Sequence, residues 1–166
     1  MKINYAESVK VLPLLGCDDI VATATPSKYI DLNMAAGLLE LEVNFGDVAS
    51  TDSTGEVVVT IEASTAASSN ATEAAIAFNY RLSAAVDTDT MGAITAATTA
   101  GATILASAVD NKTLLCYVDP SAVAATADRR YIRAVITPTA EITSTNVGVV
   151  ARYIPRYAGN AQPSST

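Results

Sequence analysis

Leu39-Glu40-Leu41-Glu42-Val43-Asn44-Phe45 alternates without a slip. Successive side chains of an extended chain point to opposite sides. Leu39, Leu41, Val43 and Phe45 therefore share one face, and Glu40, Glu42 and Asn44 share the other. A helix would scatter both sets around its axis, so the stretch predicts a half-buried strand. Glu56 to Ala63 repeats the pattern: Val57, Val59, Ile61 and Ala63 alternate with Glu56, Val58, Thr60 and Glu62. Between the two, Gly46-Asp47-Val48-Ala49-Ser50-Thr51-Asp52-Ser53-Thr54-Gly55 is turn chemistry, and the pair reads as a hairpin with a long loop.

Further runs extend the pattern in both directions. Ile76 to Ser83, Lys112 to Val118, Tyr131 to Thr137 and Thr145 to Ile154 read as strands, the last three closed by Asp119-Pro120, Pro138 and Pro155. Val9 to Leu15 and Lys28 to Leu32 read as shorter strands, which makes about eight. Ile94-Thr95 or Ala102 to Ala106 would add a ninth. This spacing predicts an all-β fold, a two-sheet antiparallel sandwich that is jelly-roll-like. One short helix is expected over Pro120 to Ala125, with Asp119 as N-cap and proline at the first helical position. Ser64 to Thr72 and Ala93 to Gly101 are rich in Ala, Thr, Ser and Gly and read as loops. Residues 1–155 form one predicted domain, in which 1–14 are an N-terminal arm and first strand. Residues 156–166 are expected to be a flexible tail.

Composition agrees with a sheet. Half of the 166 residues are hydrophobic, only 16% are charged, there is no Trp and there are two Phe. The core must be built from small and β-branched side chains, which suit a pleated surface. The formal net charge is −7, which disfavours both nucleic acid and anionic membrane as partners. Charge is also uneven. Residues 1–111 hold four basic and fourteen acidic side chains, whereas 112–166 hold six basic and three acidic. Such asymmetry can mark a partner surface. The opening MKINYAESVKVLPLLGCDD lacks the apolar stretch of a secretory leader, and no run approaches the roughly 18–20 apolar residues of a membrane span. Synthesis in the cytoplasm with reduced thiols is expected. Cys17 and Cys116 match no metal spacing, and Cys116 is in phase with Leu114 and Val118 as a core residue.

Catalytic chemistry is thinly provided. The chain has no histidine, and so lacks the commonest general base and metal ligand. It has no Gly-rich phosphate loop, GxSxG elbow or CxxC pair. Glu40 and Glu42 share a strand face as a glycosidase pair could, but a solvated outer face accounts for them. Asp87-Thr88-Asp89 and Asp47, Asp52 and Glu56 do not follow the calcium-loop spacing. The expectation is a protein that assembles and binds, not an enzyme, with no cofactor and no metal.

Three stretches carry a resemblance. Asn146-Val147-Gly148-Val149-Val150-Ala151-Arg152-Tyr153-Ile154 runs into Pro155-Arg156-Tyr157-Ala158-Gly159-Asn160. Tyr131-Ile132-Arg133-Ala134-Val135-Ile136-Thr137-Pro138 precedes it, and Asp31-Leu32-Asn33-Met34 followed by Leu38 to Phe45 comes earlier. Together they resemble the small β-sandwich head decoration, or cement, proteins of tailed bacteriophages, over most of the chain. The likeness implies a structural virion protein on the capsid exterior, made in the host cytoplasm. It implies a homo-oligomer, often a trimer, that binds the major capsid protein and clamps neighbouring subunits. A tail, fibre or spike domain and a carbohydrate-binding sandwich are the alternatives.

Two sets of candidate contact residues follow. Lys2, Ile3, Tyr5 and Val9 lie in the segment that could add to a neighbour's sheet edge. Arg129, Arg130, Arg133, Arg152 and Arg156 in the basic third could meet the acidic part of another copy head to tail.

Overall fold

The computed structural model describes residues 9–68, 73–86, 88, 90–124 and 128–155. Strand makes up 64% of it and helix 7%, which places it in the all-β class. The strands are β1 (Lys10–Asp19), β2 (Thr25–Pro26), β3 (Ile30–Asp31), β4 (Ala35–Ser50), β5 (Glu56–Ser64), β6 (Glu73–Ile76), β7 (Phe78–Leu82), β8 (Thr95–Ala97), β9 (Ala102–Leu105), β10 (Thr113–Val118), β11 (Tyr131–Pro138) and β12 (Ile142–Pro155). Two antiparallel sheets pack face to face without closing into a barrel. The first runs β1-β12-β4-β10-β7-β8 and the second β2-β11-β5-β6, with β3 also on β11 and β9 also on β5.

The pairings are nested. β1 pairs with β12, β2 and β3 with β11, β4 with β10, and β5 with β6. First meets last and the order works inward, as in one long antiparallel ribbon rolled over on itself. That is the jelly-roll arrangement. β7, β8 and β9 lie between its fifth and sixth principal strands in the chain. They widen the first sheet and extend the pairing of β5.

Alternation on β4 explains why the sheets meet where they do. Leu39, Leu41 and Val43 have no exposure and Phe45 has 5%. Their cross-strand neighbours include Cys116, Leu114, Ala151 and Val149, also buried. The second sheet supplies Val57, Val59, Ile61, Ile132, Ala134 and Ile136, with no exposure, to the same cluster. Cys116 is the core residue its phase predicts, and burial pushes its thiol up. Pro120–Ala124 is the expected helix, with Asp119 Oδ1 accepting from Ser121 N at 2.9 Å.

The expected hairpin of Leu39 to Phe45 with Glu56 to Ala63 does not form, because β4 and β5 face each other from different sheets, and several boundaries also differ from the sequence reading. The loop expected from Gly46 begins only after Ser50. β4 continues through those turn-forming residues because β12 stays beside it, with Val48 opposite Thr145 and Ser50 opposite Ile142. Asp110 Oδ1 also accepts from Val48 N at 3.0 Å. Ile76 to Ser83 is not one strand. It breaks at Ala77, and its halves lie in different sheets. Ala93 to Gly101 contains β8, and Ser64 closes β5. Lys28 to Leu32 yields only the two-residue β3, followed by a 3₁₀ turn over Leu32–Met34. The expected tail 156–166 and most of the expected arm lie outside the described residues.

Leu41→Ala should destabilise the domain by about 2–5 kcal/mol, the usual range for a buried leucine. Asp47→Ala, at an exposed position on the same strand, should shift stability by less than about 0.5 kcal/mol. Urea denaturation of the two variants checks the inward row directly.

Candidate functional site

The basic residues singled out in the sequence are placed on different parts of the sandwich. On β11, Arg133 lies between the fully buried Ile132 and Ala134, so it points out from the second sheet. On β12, Arg152 lies between the buried Ala151 and Tyr153, so it points out from the first. Arg129 and Arg130 precede β11. Val9 is half-buried just before β1. Lys2, Ile3, Tyr5 and Arg156 lie outside the described residues.

Each of the three arginines Arg130, Arg133 and Arg152 is held by a carboxylate of its own chain. Arg133 Nε donates to Glu62 Oε2 at 2.9 Å, and its Nη2 donates to Glu73 Oε2 at 2.6 Å. Its guanidinium carbon stands 4.8 Å from the centre of the Tyr29 ring, and the Tyr29 hydroxyl donates to Glu73 Oε1. One cation thus ties β11, β5, β6 and the segment before β3 together. Burial, then the hydrogen bond to Glu73, pushes Tyr29 up to about 12. Sequence periodicity could place Arg133 beside Glu62 but could not bring Glu73 or Tyr29 to it.

Arg130 makes a two-pronged contact with Asp31, with Nε donating to Oδ1 at 2.8 Å and Nη2 to Oδ2. Burial alone would raise the Asp31 carboxyl. The Arg130 hydrogen bond, the Asn33 N–H and the Arg130 charge outweigh it and hold the group low.

On the first sheet's outer face, Arg152 reaches diagonally to Glu42, although Glu40 is its cross-strand partner. Glu42 Oε1 accepts from Asn44 Nδ2 at 2.9 Å, and Asn44 Oδ1 accepts from the Thr113 hydroxyl at 2.8 Å. Glu40 accepts no hydrogen bond among the described residues. Burial raises its carboxyl, the Arg152 charge opposes that, and Glu42 reinforces it.

Two clefts open on the side where β7 and β8 widen the first sheet. One, of about 370 Å³, has Ile76, Phe78, Val118 and Val123 in its walls, with Asn79, Tyr117, Asp119 and Arg129 as the polar lining. Apolar walls with a few convergent polar groups are the general make-up of a binding cleft. The other, of about 480 Å³, runs between Tyr80 and Leu82 of β7 and Ile104 and Leu105 of β9. No group of three or more His, Cys, Asp or Glu among the described residues is arranged to hold a metal. No helix among them is long and apolar enough to cross a membrane. Cys17 is exposed and Cys116 buried, both as free thiols.

No family model, no curated protein and no solved structure matches this chain.

The Arg133 network makes two expectations. Arg133→Met strips the cation from two carboxylates and should cost about 2 kcal/mol in urea denaturation, the scale of a lost charged hydrogen bond. The Tyr29 proton is held more tightly in the folded state than in the unfolded chain, where it leaves near pH 10. The stability this contributes is complete below about pH 10 and disappears as pH rises through about 12. In an absorbance titration Tyr29→Phe should remove one late ionisation step, and Glu73→Gln should move that step earlier.

Proposed function

We propose that this chain is a capsid decoration protein, a jelly-roll domain that binds the outside of a phage head as a homo-oligomer and stabilises contacts between capsid subunits. The reading rests on the resemblance carried by Asp31 to Met34, Leu38 to Phe45, Tyr131 to Pro138 and Asn146 to Asn160. It is supported by the fold, since double-sheet jelly rolls recur in virus structural proteins.

The observation that carries the mode of attachment is the position of β1. It is the edge strand of the six-stranded sheet. Lys28 N donates to Leu14 O at 2.9 Å on its outer side. Ahead of Leu14, no strand among the described residues pairs with that side. The chain from Lys2 to Val9 thus precedes a free edge, where a strand of another protein can be added through main-chain hydrogen bonds. Residues 1–14 carry the capsid contact in this reading. Deleting residues 2–8 should leave the circular dichroism spectrum and melting transition intact and abolish cosedimentation with undecorated heads of the same virus. Undiminished binding would refute this mode of attachment.

A second reading has its own observation. Arg152, Glu40, Tyr117 and Asn79 form one cross-strand row on the outer face of the first sheet. Planar polar groups set around an aromatic ring suit sugar hydroxyls and sugar ring faces. A glycan array should show a hit that Tyr117→Ala removes; an array without hits dismisses this reading.

A further inference from the structure

Five of the seven exposed large aliphatic side chains among the described residues, all but Val21 and Val86, fall into two groups. Val11, Leu38 and Ile154, which are 58%, 62% and 54% exposed, gather at the β1 side of the first sheet. Val11 is opposite Arg152 and Leu39 is opposite Tyr153. Leu38, just before Leu39, and Ile154, just after Tyr153, therefore both turn outward, at the point where the register of the two strands shifts. Ile94, 65% exposed, lies just before β8, which ends the first sheet on the other side, and Leu105, 45% exposed, closes β9 of the second sheet. Both border the cleft of about 480 Å³ between β7 and β9. Leu105 lines it, and Ile94 stands between its lining residues Ala93 and Thr95. Gathered apolar patches on a soluble domain mark contact surfaces, whereas single exposed aliphatics do not.

We propose that the projecting row Val11, Leu38 and Ile154 of one copy seats in the Leu105 cleft of the next copy of the same chain. Three features select a second copy as the occupant. One region projects and the other is recessed. They are different surfaces of the molecule, the row on β1, β4 and β12 and the cleft between β7 of the first sheet and β9 of the second, which is what a head-to-tail contact requires and a two-fold contact does not. Charge also agrees. Among the described residues, Lys112 is the single charged one lining the cleft, and Glu40, two residues from Leu38 on the same face, accepts no hydrogen bond. Seating the row would bring that carboxylate toward the lysine. The contact does not depend on what the assembly binds, so it can stand or fall separately from the capsid reading.

Light scattering on a sizing column, over a wide concentration series, tests it with the full chain. The unmodified protein should give a multiple of 17.1 kDa. Leu38→Asp and Leu105→Asp, both at exposed positions, should each fall to the monomer mass with unchanged circular dichroism. Mixed in equal amounts, the two variants should form a pair of twice the monomer mass and nothing larger. The intact row of the Leu105→Asp copy fits the intact cleft of the Leu38→Asp copy, and the remaining two surfaces are both spoiled. An unmodified protein that stays monomeric throughout overturns the proposal. So does either variant assembling as the unmodified chain does, or a folded mixture that stays monomeric.

Discussion

Burial of one side of β4 is the constraint from which the remaining architecture follows. β4 lies inside the six-stranded sheet, between β12 and β10, so both of its edges are hydrogen-bonded and its two faces have opposite fates. The row Leu39, Leu41, Val43 and Phe45 has to leave water, and it can do so only against another apolar face. Val57, Val59 and Ile61, on the strand that follows, supply that face from the second sheet. Each inward side chain is worth about 1.5–3 kcal/mol of transfer free energy. A one-residue slip in register would expose the entire row. The strands pairing with β4 inherit its register, which is why Leu114, Cys116, Val149 and Ala151 are buried with it.

Charge is paired across the fold. Three arginines of the basic last third meet carboxylates of the acidic remainder within one molecule. Arg133 is taken by Glu62 and Glu73, Arg130 by Asp31, and Arg152 by Glu42. The partners are far apart in sequence, Arg152 and Glu42 by 110 residues, because nested pairing lays the end of the ribbon beside its beginning. Arg133 and its carboxylates are only 16–26% exposed, so that network is better shielded from solvent than the Arg130 pair, whose arginine is 48% exposed. Most of the exposed aliphatics, in contrast, form one group on β1, β4 and β12 and another around the cleft between β7 and β9.

Much of the sandwich was legible in the sequence. The alternation of β4 and β5 is strong enough to name the inward residues one by one, and Asp119-Pro120 announced its helix through capping alone. What misled was turn chemistry read without its partner. Gly46 to Ser50 looks like a loop, yet β12 runs alongside and converts it into strand. Ile76 to Ser83 looks like one strand, yet nothing at Ala77 reveals that the chain crosses between sheets there. The candidate sites were less legible. Arg133 and Glu62 could be guessed as neighbours on adjacent strands, but Glu73 and Tyr29 reach the same guanidinium from elements that periodicity does not order.

The sequence by itself determined which residues face inward, that the fold is all-β, and that its core is made of small and β-branched side chains. These are local properties, set by the two-residue repeat of an extended chain and the cost of leaving apolar groups in water. Only the tertiary structure decided the nesting of the strands, the ion pairs it creates and the grouping of most exposed aliphatics. Those depend on which strands become neighbours, a choice made by the collective packing of two faces rather than by any single stretch of chain.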